Sequence, residues 1–411
     1  VSLGRHNGPM ASRFFKNDDF EFRVQFALGG LPYGLGDAGE LLATVDAIKN
    51  GDNQEWFAQF TETAKRVHAI ADDCAERGYV ISARDAYLRA SCYYSYALEA
   101  IQALPDTTEL LPTFSAHREC WDNFAARHDP PIERVAIPYE STTMPGYFIK
   151  PDDSSEPRPT IVLNNGSDGP ITSMWPSAKA AIERGYNALV FDGPGQQHML
   201  FVQDIPFRPD WEAVITPVVD YLSTRNDVDT EKLALYGISQ GGYWVPRALV
   251  FEHRFAAAVA DPGVVDVSSS WTDHLPHSLL KPLDSGDEAK FNKEMELGLK
   301  VSGLFSKGAR ETMAFRTRPY GVSTAYEAFK AVSEYNISDI AHEITTPLMI
   351  CDPEGEQFWP GQPKRLFDLV SGPKVLVAFT KSEGADRHCE PMARTLLDQR
   401  MYDWLAATLG L

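Results

Sequence analysis

The chain has 411 residues, a net charge of −19 and 44% hydrophobic residues. That length calls for one large domain with additions or for two domains. The acidic balance leaves no basic stripe to neutralise phosphates and disfavours anionic membranes, so neither nucleic acid nor a membrane is an expected partner. Five cysteines (Cys74, Cys92, Cys120, Cys351, Cys389) with no Cys-x-x-Cys pair argue against a disulfide framework or a zinc site. Val1 to Met10 shows no apolar signal segment, and no apolar stretch approaches bilayer length. A soluble, cytoplasmic protein with no metal and no cofactor is the expectation.

Along the chain, Gly39 to Lys49, Gln54 to Arg77, Ser82 to Leu104 and Leu111 to His128 carry apolar residues at helical spacing. Asp52-Asn53 and Ser82 suit helix starts, and Gly78 suits a stop. Tyr87, Tyr93, Tyr94 and Tyr96 could face a pocket, but helix-on-helix packing is favoured. The character changes at Pro130-Pro131, which sets a helical domain at residues 1–130. Ile132 to Pro138 and Met144 to Lys150 then read as a paired strand couple. Next come strand 160–163, helix 175–184, strand 187–191, helix 211–225, strand 233–236, a helix over 243–251 and strand 256–260. This alternation predicts a mostly parallel, doubly wound α/β sheet. Residues 264–339 break the rhythm and read as a helical lid with three helices. Strand 347–351, helix 362–369, strand 374–379 and a terminal helix complete a core over 131–263 and 340–411.

Gly237-Ile238-Ser239-Gln240-Gly241 is a G-x-S-x-G sequence between a strand and a helix. A serine lifted above a sheet on a strained turn leaves no room for side chains two residues away, so glycines flank it. A serine hydroxyl needs a histidine base oriented by a carboxylate, which follow in the order serine, acid, histidine on such a sheet. His388, after the strand ending at Phe379, is the predicted base. The loop after Cys351 offers Asp352, Glu354 and Glu356; Glu356 is favoured, with Asp352 the runner-up. An oxyanion needs backbone N–H donors. Gln240 supplies one, and Ser167 is favoured over Gly166 for the other, in the loop Asn164 to Gly169. Asp168, Asp261, Tyr243 and Trp359 are candidates for the substrate pocket. Asp192-Gly193-Pro194-Gly195-Gln196 reads as a rigid turn beside the pocket, not a phosphate loop. Asp266, Asp273, His274 and His277 read as caps, loop charges or lid contacts.

With these motifs the chain resembles one α/β-hydrolase group. Its branches are the fermentation–respiration-switch-type esterases, the fungal pigment-pathway hydrolases that shorten polyketides, and dihydroxypseudooxynicotine hydrolase. Gly78 to Tyr94 is similar to the group's helical signature, and Phe191 to Gln196 and Gly237 to Tyr243 to its turn and elbow. Phe358 to Gln362 and Glu383 to Cys389 look closest to the polyketide-shortening members. The resemblance implies an α/β-hydrolase fold whose N-terminal helices and lid roof the site. It implies a small-molecule carbonyl substrate, cleaved at an ester or at a carbon–carbon bond beside a ketone, or used for acyl transfer. A cyclase on the same scaffold is a further alternative. Relatives usually carry aspartate where Glu356 stands, and often paired glycines near Gly166. Members commonly dimerise, so the resemblance allows a homodimer.

Overall fold

The computed structural model describes residues 14–49, 52–273, 275–303 and 309–411. The N-terminal part holds helices α1 (Asp18–Gly30), α2 (Ala38–Asp46), α3 (Asn53–Glu76), α4 (Val80–Ile101) and α5 (Leu110–Arg127). Along α3 the residues Trp56, Phe60, Ala64, Val67 and Ala71 recur every three or four positions and are buried, as one apolar stripe of a helix must be. Helix α4 lies between α3 and α5 and is buried on most of its circumference. Its tyrosines pack between helices: Tyr93 donates to Glu40 at 2.9 Å, Tyr87 donates to Asp72 at 2.6 Å, and the Tyr96 ring lies 5.3 Å from Phe60. Helix α1 lacks an obvious apolar stripe and was not among the predicted helices. Its start is nonetheless marked, since the Asn17 side chain accepts from the Asp19 and Phe20 amides and acids fill the first turn.

The sheet has eight strands: β1 (Glu133–Tyr139), β2 (Thr142–Ile149), β3 (Arg158–Asn164), β4 (Asn187–Phe191), β5 (Val228–Ile238), β6 (Ala257–Asp261), β7 (Leu348–Pro353) and β8 (Lys374–Phe379). Their spatial order is β1-β2-β4-β3-β5-β6-β7-β8. The β1–β2 and β2–β4 pairs are antiparallel and the rest parallel. Side chains alternate between the faces. Ile161, Leu163, Ala188 and Val190 join a core with α3, α4 and the N-terminal aromatics, while Val162, Leu189 and Phe191 join a second core on the other face. Burial on both faces explains why these strands read as continuous apolar runs.

Around the sheet lie α6 (Trp175–Ile182), α7 (Gln197–Phe201), α8 (Glu212–Ser223) and α9 (Gly241–Leu249). The insertion forms α10 (Ser269–Thr272), α11 (His277–Ser285), α12 (Glu288–Gly303), α13 (Ala309–Thr317) and α14 (Ala325–Ser333), more helices than its sequence suggested. Leu279, Leu283, Phe291, Met295 and Phe329 give it a small core of its own. Asn53 on α3 donates to Glu311 on α13 at 2.6 Å, tying the lid to the N-terminal helices. Helices α15 (Gln362–Leu369) and α16 (Arg394–Leu409) complete the chain. Among the described residues, no helix is long and apolar enough to cross a membrane.

The order locates the site. From β3 the chain moves one way to β4, and from β5 it moves the other way to β6. Loops leaving the carboxyl ends of β3 and β5 therefore part from each other and open a crevice between them. The loop containing Gly166 and the turn containing Ser239 border that crevice.

Candidate active site

Ser239 follows β5 with a φ of 57°, a left-handed conformation that a serine adopts at a cost. The surrounding turn tolerates no side chain at the flanking glycines. A Cβ on Gly237 would lie 2.3 Å from the Gly241 carbonyl oxygen, and one on Gly241 would lie 2.9 Å from the Asn164 carbonyl oxygen. The Ser239 amide donates to the Asp261 carbonyl at 2.6 Å, which pins the turn to the end of β6.

The Ser239 hydroxyl lies 3.0 Å from His388 Nε2. His388 Nδ1 lies 2.8 Å from Glu356 Oε2 and 3.0 Å from Oε1. Oε1 also accepts the backbone amides of Phe358 at 2.8 Å and Trp359 at 3.1 Å. Burial alone would raise the Glu356 pKa, but His388 and those two amides outweigh it and hold the carboxyl below its usual value. Asp352, the runner-up acid, forms no hydrogen bond with His388. Its own carboxyl is pushed up by burial and by the neighbouring Glu356 charge. The imidazole is held by rings, with Phe358 at 4.6 Å, Trp359 at 5.7 Å and Phe22 of α1 at 6.3 Å. Gln357, which the sequence did not single out, accepts the His388 amide at 2.9 Å.

On the other side of the serine, a Cβ on Gly166 would stand 2.8 Å from Ser239 Cβ. The loop after β3 thus lies directly against the nucleophilic turn. The Gly166 amide is spent on Asn165 Oδ1 at 2.9 Å, so Gly166 is not an open donor. The amides of Ser167 and of Gln240, the latter at the start of α9, make no hydrogen bond among the described residues. The turn at Asp192 to Gln196 braces this loop: Gln196 Nε2 donates to the carbonyls of Asn165 at 2.9 Å and Gly166 at 2.8 Å.

Two pocket candidates belong elsewhere. Tyr243 is fully buried, its ring 5.6 Å from Tyr335 and its hydroxyl directed at the Pro209 carbonyl. Asp261 is fully buried beneath the turn, accepting from Tyr236 at 2.8 Å and lying 3.9 Å from Arg394. Trp359 is buried beside His388, with its indole N–H on the Val267 carbonyl at 3.2 Å. Asp168 differs from all three. Its surface is accessible, yet surrounding protein desolvates the carboxyl enough to raise its pKa against the pull of Arg23 and Ser167. Asp266 accepts from the Ser268 amide at 2.9 Å as a turn cap, and Asp273 and His277 are exposed; His274 lies outside the described residues.

Residues 214–296, from α8 through the Ser239 turn into the lid, match the prolyl oligopeptidase family. The 20-hydroxy-prefusarin hydrolase FUS2 of Gibberella moniliformis is 30% identical, over 97% of this chain and 98% of its own. This chain belongs to the same α/β-hydrolase family. Hydrolase LUC6 of Fusarium sp is 28% identical over 97% of this chain and 98% of its own. The solved 2,6-dihydroxy-pseudo-oxynicotine hydrolase superposes on the hydrolase with a TM-score of 0.73 at 20% identity, covering 93% of this chain and 95% of that one. The protein is therefore an enzyme of the α/β-hydrolase class, with the fold that the spacing of strands and helices predicted.

Proposed function

We propose that this hydrolase cleaves a carbon–carbon bond beside a ketone, in a polyketide-like or acyl-aromatic metabolite, through an acyl-enzyme on Ser239. The observation that carries the reading is the hydrogen-bonded series Ser239–His388–Glu356 beside two unspent amides. His388 Nε2 takes the hydroxyl proton as Ser239 Oγ attacks a carbonyl carbon. Glu356, kept ionised, holds Nδ1–H and steadies the imidazolium. The tetrahedral oxyanion rests on the Gln240 and Ser167 amides. The bond between the carbonyl carbon and its α-carbon then breaks, and its electron pair leaves as an enolate that His388 protonates. A water, deprotonated by His388, attacks the acyl-serine and releases a carboxylic acid and free Ser239.

One feature supports a ketone substrate: the segments around Trp359 and His388 resemble the polyketide-shortening members. The same residues would serve an esterase, lactonase or acyltransferase, and product analysis separates these readings. With a panel of 1,3-diketones and simple aryl esters, the expected result is a carboxylic acid and a ketone from a diketone. Fast ester turnover with every diketone intact would overturn carbon–carbon cleavage. Unchanged activity in Ser239→Ala would overturn every nucleophilic mechanism here.

A further inference from the structure

The lid holds a cation with no counter-ion in bonding range among the described residues. Arg316 stands on the last turn of α13 and is half-buried. Among the described residues its guanidinium makes no hydrogen bond and no ion pair; its ring contact is Trp271, 5.9 Å away. Arg23 on α1 offers a contrast. It pairs with Glu99 at 3.7 Å, donates to Asn53 at 3.2 Å and lies over the rings of Phe20 and Trp56 at 5.2 and 5.5 Å.

The position of Arg316 points inward. Shortly after it, the buried Tyr320 ring lies 5.5 Å from Tyr335, whose ring lies 5.6 Å from Tyr243 on α9, the helix that follows Ser239. The Tyr320 ring also lies 5.7 Å from Trp271. The charges of Asp19, beginning α1, and of Asp168, after β3, both reach the guanidinium without bonding it. Arg316 therefore sits on the lid helix that Glu311 ties to α3, within electrostatic reach of Asp19 on α1 and of Asp168 after β3. Burial pulls its pKa down, as desolvation without a bonded partner must. An arginine nevertheless stays charged, and a desolvated cation with unspent donors is costly until an anion meets it.

We propose that Arg316 is the anion-recognition residue of the substrate site, binding a negatively charged oxygen, carboxylate or enolate, on the part of the substrate that faces the lid. This rests on the reading of Ser239 as the nucleophile. The planar guanidinium presents paired N–H donors, which match a carboxylate or the two oxygens of a 1,3-dicarbonyl enolate. An enolate leaving group would gain the same contact as it forms.

Two aryl esters of equal acyl length test the carboxylate arm: 4-nitrophenyl hexanoate and the 4-nitrophenyl monoester of adipic acid. Arg316→Gln is expected to lower kcat/KM for the adipate ester by about tenfold to a hundredfold, and for the hexanoate by less than about twofold. Arg316→Lys keeps a charge without the fork and is expected to retain more of the adipate preference than Gln. The enolate arm uses 1-phenylbutane-1,3-dione bound to Ser239→Ala, read by enolate absorbance against pH. The bound diketone is expected to ionise at lower pH in Ser239→Ala than in Ser239→Ala/Arg316→Gln. A response in either arm supports the proposal and identifies which anion is bound. Equal losses on both esters without an enolate response, or no change in either arm, would overturn it. Ester turnover surviving in Ser239→Ala would instead refute the nucleophile reading, whatever Arg316 does.

Discussion

Replacing Glu356 by glutamine tests the proposed base-orienting carboxylate with almost no change of shape. The structure dictates how the amide must sit. The Oε1 position faces two amide donors, Phe358 at 2.8 Å and Trp359 at 3.1 Å, so the glutamine oxygen belongs there. Its NH2 group then occupies the Oε2 position, 2.8 Å from His388 Nδ1. An NH2 can only donate, so Nδ1 becomes an acceptor and the proton moves to Nε2. Nε2 then points a proton at the Ser239 hydroxyl 3.0 Å away and cannot accept one. Flipping the amide restores Nδ1–H but sets its NH2 against two N–H donors, which costs about 1–3 kcal/mol for each group left unsatisfied. An analogous wrong tautomer in a serine protease costs about 10⁴ in kcat, or about 5.4 kcal/mol at 1.36 kcal/mol per decade. The expected result is a kcat for an aryl ester reduced by about three to four orders of magnitude. Thermal unfolding should move only slightly, and Asp352→Asn should stay within about threefold of wild type, since surface-like changes off the hydrogen-bonded series are mild. A tenfold or smaller loss in Glu356→Gln, with a larger one in Asp352→Asn, would refute the reasoning and move the role to Asp352.

Gly166→Ala places a Cβ 2.8 Å from Ser239 Cβ and 3.0 Å from the Ile238 carbonyl oxygen, and should cut kcat about a hundredfold by displacing the nucleophile; a loss under threefold would mean the loop does not confine the serine. Arg394→Met leaves buried Asp261 and Asp398 without their cation and should cost about 3–5 kcal/mol in urea unfolding, whereas a cost under 1 kcal/mol would exclude that role. Burial raises the Glu99 carboxyl from 4.5 to about 7, against Arg23 and with help from Asp168. Between those pH values the folded protein keeps a proton that the unfolded chain releases, so wild-type stability falls as pH rises and levels off above about 7. Glu99→Gln should therefore gain in melting temperature over wild type across that window; a difference independent of pH would contradict the shift.

Some of the site lies in local sequence. Gly237-Ile238-Ser239-Gln240-Gly241 between an apolar run and a helix, then Glu356 and His388 in order, were legible because a strained strand-to-helix turn restricts residue types over five adjacent positions. The long apolar stripes of α3 and α4 were legible for the same reason, since their period repeats over several turns. Helix α1 was not, because its apolar residues are spread around its circumference. Only its cap at Asn17 marks it, and with it went the approach of Phe22 to His388. Asp261 and Tyr243 were candidates for the substrate pocket, yet both are fully buried. Which way each side chain turns is decided by distant partners, Tyr236 and Arg394 for one, Pro209 and Tyr335 for the other.

By itself the sequence determined the parallel sheet, the helical segments around it and the order of serine, acid and histidine. These depend on short-range periodicity and on backbone strain. The tertiary structure alone decided that Glu356 rather than Asp352 meets the imidazole, that Gly166 spends its amide within its own loop, and that Arg316 finds no bonded counter-ion among the described residues. Each of those outcomes depends on which atoms end within 3 Å or so of each other after packing. Contacts at that range join residues far apart in the chain, and no local pattern encodes their direction.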